Sequence, residues 1–335
     1  MTIDLSSTYL GMKLRSPIIA SACPLTGNLD VLARLEDAGA GAAVLPSLFE
    51  EQIEFEERMF GELTDLNADA CAEAAMYFPE LDTYNTGPDE YLRLVEEARK
   101  TVRMPIIASL NGVTSGGWTR YARMMEGAGA SAIELNTYYL STDPDVSAER
   151  TEQNYLDLVL SISESIRIPL AVKLSPFFSS LPNFARNLAS AGADGLVLFN
   201  RFFQPDLDVD HMVIDSQMEL SSRMENRLPM RWIAILDPLV DVSLAANSGI
   251  HTADDVLKML LVGADAVMIA AALIRNGPEY VTVLLDDLRG LLQEHGYLAV
   301  SQLRGSFNHR KVPNPGAFER HNYMKALTSF GENMN

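Results

Sequence analysis

The chain has 335 residues and carries 26 Lys and Arg against 45 Asp and Glu, a formal net charge of −19. Such an excess of carboxylates repels phosphate backbones and anionic lipid, and no basic run goes beyond the short His309-Arg310-Lys311 cluster, so nucleic acid and membrane are poor partners and small molecules are the expected ligands. With 47% hydrophobic, 8% aromatic and 21% charged residues, the composition is that of a folded globular protein with a sizeable core.

The start, MTIDLSSTYLGMKLRSP, lacks the basic opening and apolar run of a signal peptide, and two cysteines, Cys23 and Cys71, cannot build a disulfide framework. The longest apolar runs, such as Ala266 to Ile274, reach about half of the roughly 20 residues that span a bilayer. A cytoplasmic protein is expected.

One local pattern recurs four times: an amphipathic helix, then Gly-Ala, then a short apolar run. The copies are LARLEDAGAGAAVL (32–45), YARMMEGAGASAIEL (121–135), FARNLASAGADGLVL (184–198) and VLKMLLVGADAVMI (256–269). Each reads as a helix closed by a left-handed glycine and followed by a strand. The strands are continuous apolar runs, the mark of a parallel sheet covered on both faces. They are predicted at 16–23, 41–47, 105–112, 132–139, 169–176, 195–200, 242–249 and 266–273, with helices at 28–38, 89–103, 118–128, 148–167, 181–191, 252–262 and 278–295. The seventh strand competes with the strand-like RWIAIL (231–236), and the helix expected before it shrinks to a few residues near Asp237-Pro238.

Eight strands alternating with helices predict a (β/α)8 TIM barrel over residues 1–299, with a C-terminal extension, 300–335, packed on it. A doubly wound open sheet is the alternative, but SACPLTGN (21–28) has no GxGxxG after the first strand. The long segments 48–88 and 201–230 follow strand carboxyl ends, where such barrels carry their sites, and are expected to cover a pocket there.

Lys173 stands out, because it interrupts the apolar strand LAVKLSP and a lysine is almost never fully buried unless paired. Either it pairs with a carboxylate such as Glu134 on the neighbouring strand, or it meets a ligand. Asn111, Asn136 and Asn200 end strands three, four and six, where an amide can both donate to and accept from a planar heterocycle. NSG (247–249) and MIAAAL (268–273) stand where these barrels bind phosphate through backbone N–H groups. Cys23 reads as a small buried hydrophobe, EEQIEFEE (50–57) as a solvated helix face, and the five histidines show no metal-binding spacing, so no metal is expected.

In order, SPIIASA (16–22), GAAVLPS (41–47), IELN (133–136), VKLSP (172–176), LFN (198–200), NSGI (247–250), LLVGADAVMIAAAL (260–273) and GP (277–278) resemble the dihydroorotate dehydrogenase family of FMN-containing barrels, in particular its bacterial dihydroorotate dehydrogenase-like branch. The resemblance implies FMN as cofactor, with Ala20, Ser21 and Ser47 lining the flavin, Asn111 beside them, and Lys173 at its pyrimidine edge. It implies that Asn136 spans flavin and substrate, that Asn200 meets the substrate ring with Arg201 beside it, and that Ser248, Gly249, Ala270 and Ala271 hold the phosphate. The implied activity is hydride transfer from a dihydroorotate-like substrate, a step of pyrimidine biosynthesis, in a homodimer.

The chain also departs from the family pattern. Where the family's second strand reads T-K-S, this one reads Leu45-Pro46-Ser47. Where the fourth strand runs into N-L-S-C-P-N with a Cys or Ser as base, it reads Asn136-Thr137-Tyr138-Tyr139-Leu140-Ser141, so the position of the base falls on Tyr139, with Ser141 or Thr142 in reach of a small loop shift. A different cyclic substrate, with Arg201 meeting its carboxylate, is therefore a second reading. A third is a Schiff-base lyase or aldolase built on Lys173, and a fourth is a flavin-binding protein serving a redox partner. The chain has neither a CxxC-rich segment for an iron–sulfur cluster nor an apolar helix for quinone, so a soluble, unspecified electron acceptor is expected.

Overall fold

The computed structural model describes residues 3–53, 87–112, 118–202, 204–215, 219–319 and 323. Cys71, His321 and most of the 48–88 segment lie outside the described residues.

A two-stranded antiparallel hairpin, β1 (Ser7–Tyr9) and β2 (Met12–Leu14), precedes the barrel. Eight parallel strands then close on themselves: β3 (Ile18–Ala20), β4 (Ala42–Phe49), β5 (Ile106–Asn111), β6 (Ala132–Asn136), β7 (Leu170–Leu174), β8 (Gly195–Leu198), β11 (Ser243–Asn247) and β12 (Ala266–Ile269), with β12 returning to pair with β3. A second hairpin, β9 (Asp206–Asp208) and β10 (Val213–Asp215), rises between β8 and β11. The closed parallel barrel is the predicted fold and removes the open-sheet alternative.

Helices α1 (Leu29–Ala38), α2 (Pro88–Thr101), α3 (Trp118–Gly127), α4 (Ala148–Ser163), α5 (Leu181–Ser190), α6 (Arg227–Leu236), α7 (Ala253–Val262), α8 (Ala271–Asn276), α9 (Tyr280–Glu294) and α10 (Val300–Leu303) follow the strands. The repeated glycine takes the role read from the sequence: Gly39, Gly129, Gly192 and Gly263 have φ of 106°, 97°, 102° and 121° and turn each helix back toward the next strand.

Two expectations are corrected. RWIAIL belongs to α6, whose Pro229, Ile233, Ala234 and Leu236 form one buried face, so the helix between strands six and seven is ten residues long and not a remnant at Asp237-Pro238. The eighth strand ends at Ile269, and Ala271 to Leu273 open α8. In both places a run of Ala, Ile and Leu satisfies helix and strand patterns alike, and packing decides.

Strand alternation sends every second side chain inward. Toward the amino ends the inward set is apolar, with Ile19, Ile107, Ala132, Ala171 and Ala245 closed from below by Tyr9, Leu10 and Leu14 of the hairpin. One inward step toward the carboxyl ends, the same strands carry Ser21, Ser109, Glu134, Lys173 and Asn247, all buried. The barrel is thus greasy at its floor and polar at its mouth. After the barrel, Arg304 ties the chain to its amino end through Asp265 at 2.6 Å and Asp237 at 3.0 Å, and Val300 and Leu303 join the main core.

Candidate active site

The mouth is built from strand ends. Lys173 on β7 and Glu134 on β6 form a buried ion pair, Nζ to Oε1 at 3.2 Å, with side chains 6% and 0% exposed. The pairing considered from sequence is present, and it leaves the ammonium's remaining hydrogens for the space above. Thr137, fully buried at the end of β6, donates its hydroxyl to the Lys173 carbonyl at 3.2 Å and fixes that backbone.

Around this pair, hydroxyls and amides meet in twos. The Ser47 and Ser109 hydroxyls are 2.8 Å apart. Ser47 reaches the inward register because the β4–β5 pairing shifts between Val44 and Ser47, at Pro46, which has no N–H to give the ladder. Ser21 donates to Asn247 Oδ1 at 3.3 Å, and Asn247 Nδ2 donates to the Phe199 carbonyl at 2.8 Å. Asn200 Nδ2 donates to Asn136 Oδ1 at 2.8 Å. Asn111, half-buried, lies opposite Asn136 in the β5–β6 register. Ala20 is fully buried on the helix-facing side of β3, so only its backbone borders the mouth.

Ser248 and Gly249 follow β11 with φ of 79° and 72°. At Gly249 a side chain is impossible, since a Cβ there would stand 2.3 Å from the Asn226 backbone nitrogen. The turn at Ser222–Asn226 packs directly on this loop, and Asp255 secures both: its carboxylate accepts from Asn226 Nδ2 at 2.9 Å, from the His251 N–H at 3.1 Å and from Arg223. On the neighbouring strand end, after β12, Ala270 and Ala271 begin α8, whose first N–H groups have no intrahelical acceptor.

Three assigned residues take other positions. Arg201 is engaged through Nε by the Glu225 carboxylate at 2.8 Å and through Nη1 by the Glu219 carbonyl, so it clamps the loop after β8 to the segment before α6 while still lining the cleft beside the mouth. Tyr139 packs against the outer core beside Tyr155, while Tyr138, exposed on the loop after β6, stacks on Phe202 with ring centroids 4.2 Å apart. Burial above all, opposed by the Thr137 side chain, pushes the Tyr155 hydroxyl to about 12, which makes it a support and not a base. Ser141 and Thr142 are exposed on the loop beyond.

The sequence reading left out Ser109 and took Asn247 only as the start of the NSG phosphate segment; the inward register, two residues from apolar floor positions, is the signal that identifies both side chains. Cys23 is buried near Lys173, and burial pushes its thiol up while Leu25, Thr26 and then Lys173 pull it down. A cleft of about 1010 Å³ opens beside the mouth, lined by Phe177, Phe199, Asn200, Arg201, Phe202 and Ser248 among others. Among the described residues no group of three or more His, Cys, Asp or Glu is placed to hold a metal ion, and no helix is long and apolar enough to cross a membrane.

A sequence model of the dihydroorotate dehydrogenase family matches residues 78–292. The chain is 23% identical over 320 residues to the protein of Endomicrobium trichonymphae named dihydroorotate dehydrogenase B (NAD(+)), catalytic subunit, covering 94% of this chain and all of that one. Proteins of the same name from Halalkalibacterium halodurans and Bacillus thuringiensis are 27% and 26% identical, over 61% and 60% of this chain and 68% and 67% of theirs. With a match over more than half its length and the closed barrel that the resemblance implies, the chain belongs to the dihydroorotate dehydrogenase family.

Proposed function

We propose that the protein is an FMN-dependent oxidoreductase acting on dihydroorotate or a cyclic amide of the same kind. The observation that carries this reading is the buried Lys173–Glu134 pair beneath the Asn136–Asn200 bridge, at the polar end of an otherwise apolar barrel. The donor set fits a flat heterocycle with an anionic tail: hydroxyls of Ser21 and Ser47, amides of Asn111 and Asn136, one ammonium at Lys173, and backbone N–H groups of Ser248, Gly249, Ala270 and Ala271 for a phosphate. When bound, FMN supplies the hydride acceptor.

The chain's own residues orient and stabilise. Lys173 offers fixed positive charge where negative charge develops, in a mouth whose floor excludes water. Asn136 and Asn200 hold a substrate ring by its amide edges. Tyr138, Phe177 and Phe202, from three successive loops, form an aromatic wall at the rim, with Phe177 edge-on to Phe202 at 5.5 Å. The Schiff-base reading of Lys173 would need its Nζ released from Glu134, whose Oε1 engages it at 3.2 Å.

The homodimer reading is supported by the β9–β10 hairpin, where Leu207, Val209, Met212 and Ile214 are 68–86% exposed. Anaerobic mixing of the flavin-loaded protein with dihydroorotate tests the activity. Bleaching of the flavin absorbance is expected, and no bleaching with dihydroorotate or related cyclic amides would remove the reading.

A further inference from the structure

We propose that Glu134 is the positioning residue for Lys173: a buried carboxylate that fixes the ammonium at the barrel mouth and sets how much positive charge the mouth presents. The proposal rests on the flavin reading above. In the parallel β6–β7 register Asn136 lies opposite Lys173 and Glu134 opposite Ala171, so the carboxylate sits one inward step below the ammonium, on its floor side. The side chain of Glu134 is wholly buried, and Oε1 is 3.2 Å from Nζ.

On the inward register Glu134 lies between Ala171 and Ser109, with Ala132 of the apolar floor one step before it on its own strand. Its second oxygen, Oε2, has no hydrogen-bond partner, and neither has the buried hydroxyl of Tyr9 on the hairpin below. The two groups sense each other: burial first, and then the charge of Glu134, push the Tyr9 hydroxyl well above its ordinary value. A buried ion pair kept for stability alone is replaceable by packed apolar side chains at no loss, and one left with an unpartnered oxygen is a costly structural device. What the arrangement does provide is a fixed, buried counter-charge 3.2 Å from the Lys173 ammonium. Removing that charge leaves the ammonium's field unopposed and favours whatever negative charge lies above it.

The test uses the full chain loaded with FMN and reads the reduction potential of the flavin beside a melting curve. Glu134→Gln is expected to shift the two-electron equilibrium toward reduced flavin by at least tenfold, about 30 mV. Glu134→Asp keeps the charge and is expected to lie nearer the native potential than Glu134→Gln does. Should Glu134→Gln fail to fold, the double variant E134Q/K173M, which leaves no lone buried charge, is compared with Lys173→Met and is expected to hold the higher potential. A lowered melting temperature with an unmoved potential in flavin-loaded Glu134→Gln, or equal potentials in the second comparison, overturns the role of Glu134 alone. Protein that takes up no flavin overturns the flavin reading and this inference together.

Discussion

Asn200 donates its amide hydrogen to Asn136 Oδ1 at 2.8 Å, joining the ends of β8 and β6 across the intervening β7 that carries Lys173. The bridge leaves the Asn136 amide as donor and the Asn200 carbonyl as acceptor, a matched pair for the edge of a cyclic amide. Removing either partner strips the other of its support. Asn200→Ala and Asn136→Ala are each expected to raise the barrier reported by kcat/KM by about 1–3 kcal/mol, a loss of roughly 5- to 150-fold, in steady-state assays with the flavin still bound. Unchanged kcat/KM in both variants would separate the bridge from the substrate.

Lys173→Ala removes one member of a buried pair and exposes two effects at once. The uncompensated Glu134 is expected to cost about 3–5 kcal/mol in a denaturant titration. The loss of positive charge is expected to lower the flavin potential in the folded fraction. An unchanged potential would exclude contact between Lys173 and the flavin.

The proton acceptor on the loop after β6 is the residue by which this chain differs most from the family pattern. Residues 137–142 offer neither thiol nor carboxylate, and general-base catalysis supplies roughly 10²–10⁴-fold, so slow reduction by dihydroorotate is expected. Because the Tyr139 ring packs outward, Tyr139→Phe is expected to change the anaerobic reduction rate by less than about twofold. A loss of an order of magnitude would return the base to Tyr139.

The barrel was legible because the Gly-Ala turn recurs before four apolar runs, and a left-handed glycine between helix and strand leaves little else for the chain to do. Lys173 was legible for the opposite reason, as a charge on a strand with no exposed face. The inward register of Ser109 and Asn247 was open to the same period-two reasoning that puts Lys173 two residues from Ala171 on one face of β7. What no local pattern carries is the engagement of Arg201 by Glu225, 24 residues away, or the packing of the Ser222–Asn226 turn on Gly249. The choice of helix for Arg227–Leu236 likewise depends on the barrel against which Ile233 and Leu236 are buried.

Asp255 links the Ser248–Gly249 loop to pH. Burial works to raise its carboxyl, but the Arg223 guanidinium and the His251 and Thr252 groups that donate to it outweigh burial and hold it below the usual range. A carboxyl depressed in the folded state contributes stability above its unfolded value, about 3.9, and loses that contribution as pH falls through its folded value. The stability gap between the native chain and Asp255→Asn is therefore expected to be full at neutral pH and to close below about pH 4. Melting curves at both pH values check it, and a gap that stays constant would contradict the assignment.

We propose that the mouth bordered by Ser21, Ser47, Lys173, Ser248 and Gly249 holds FMN. The most direct test is to denature protein produced with ample flavin and to identify and quantify what is released by chromatography. FMN equimolar with the chain, and no FAD or NAD, is the expected result. Protein that folds, melts cooperatively and releases no FMN would contradict it.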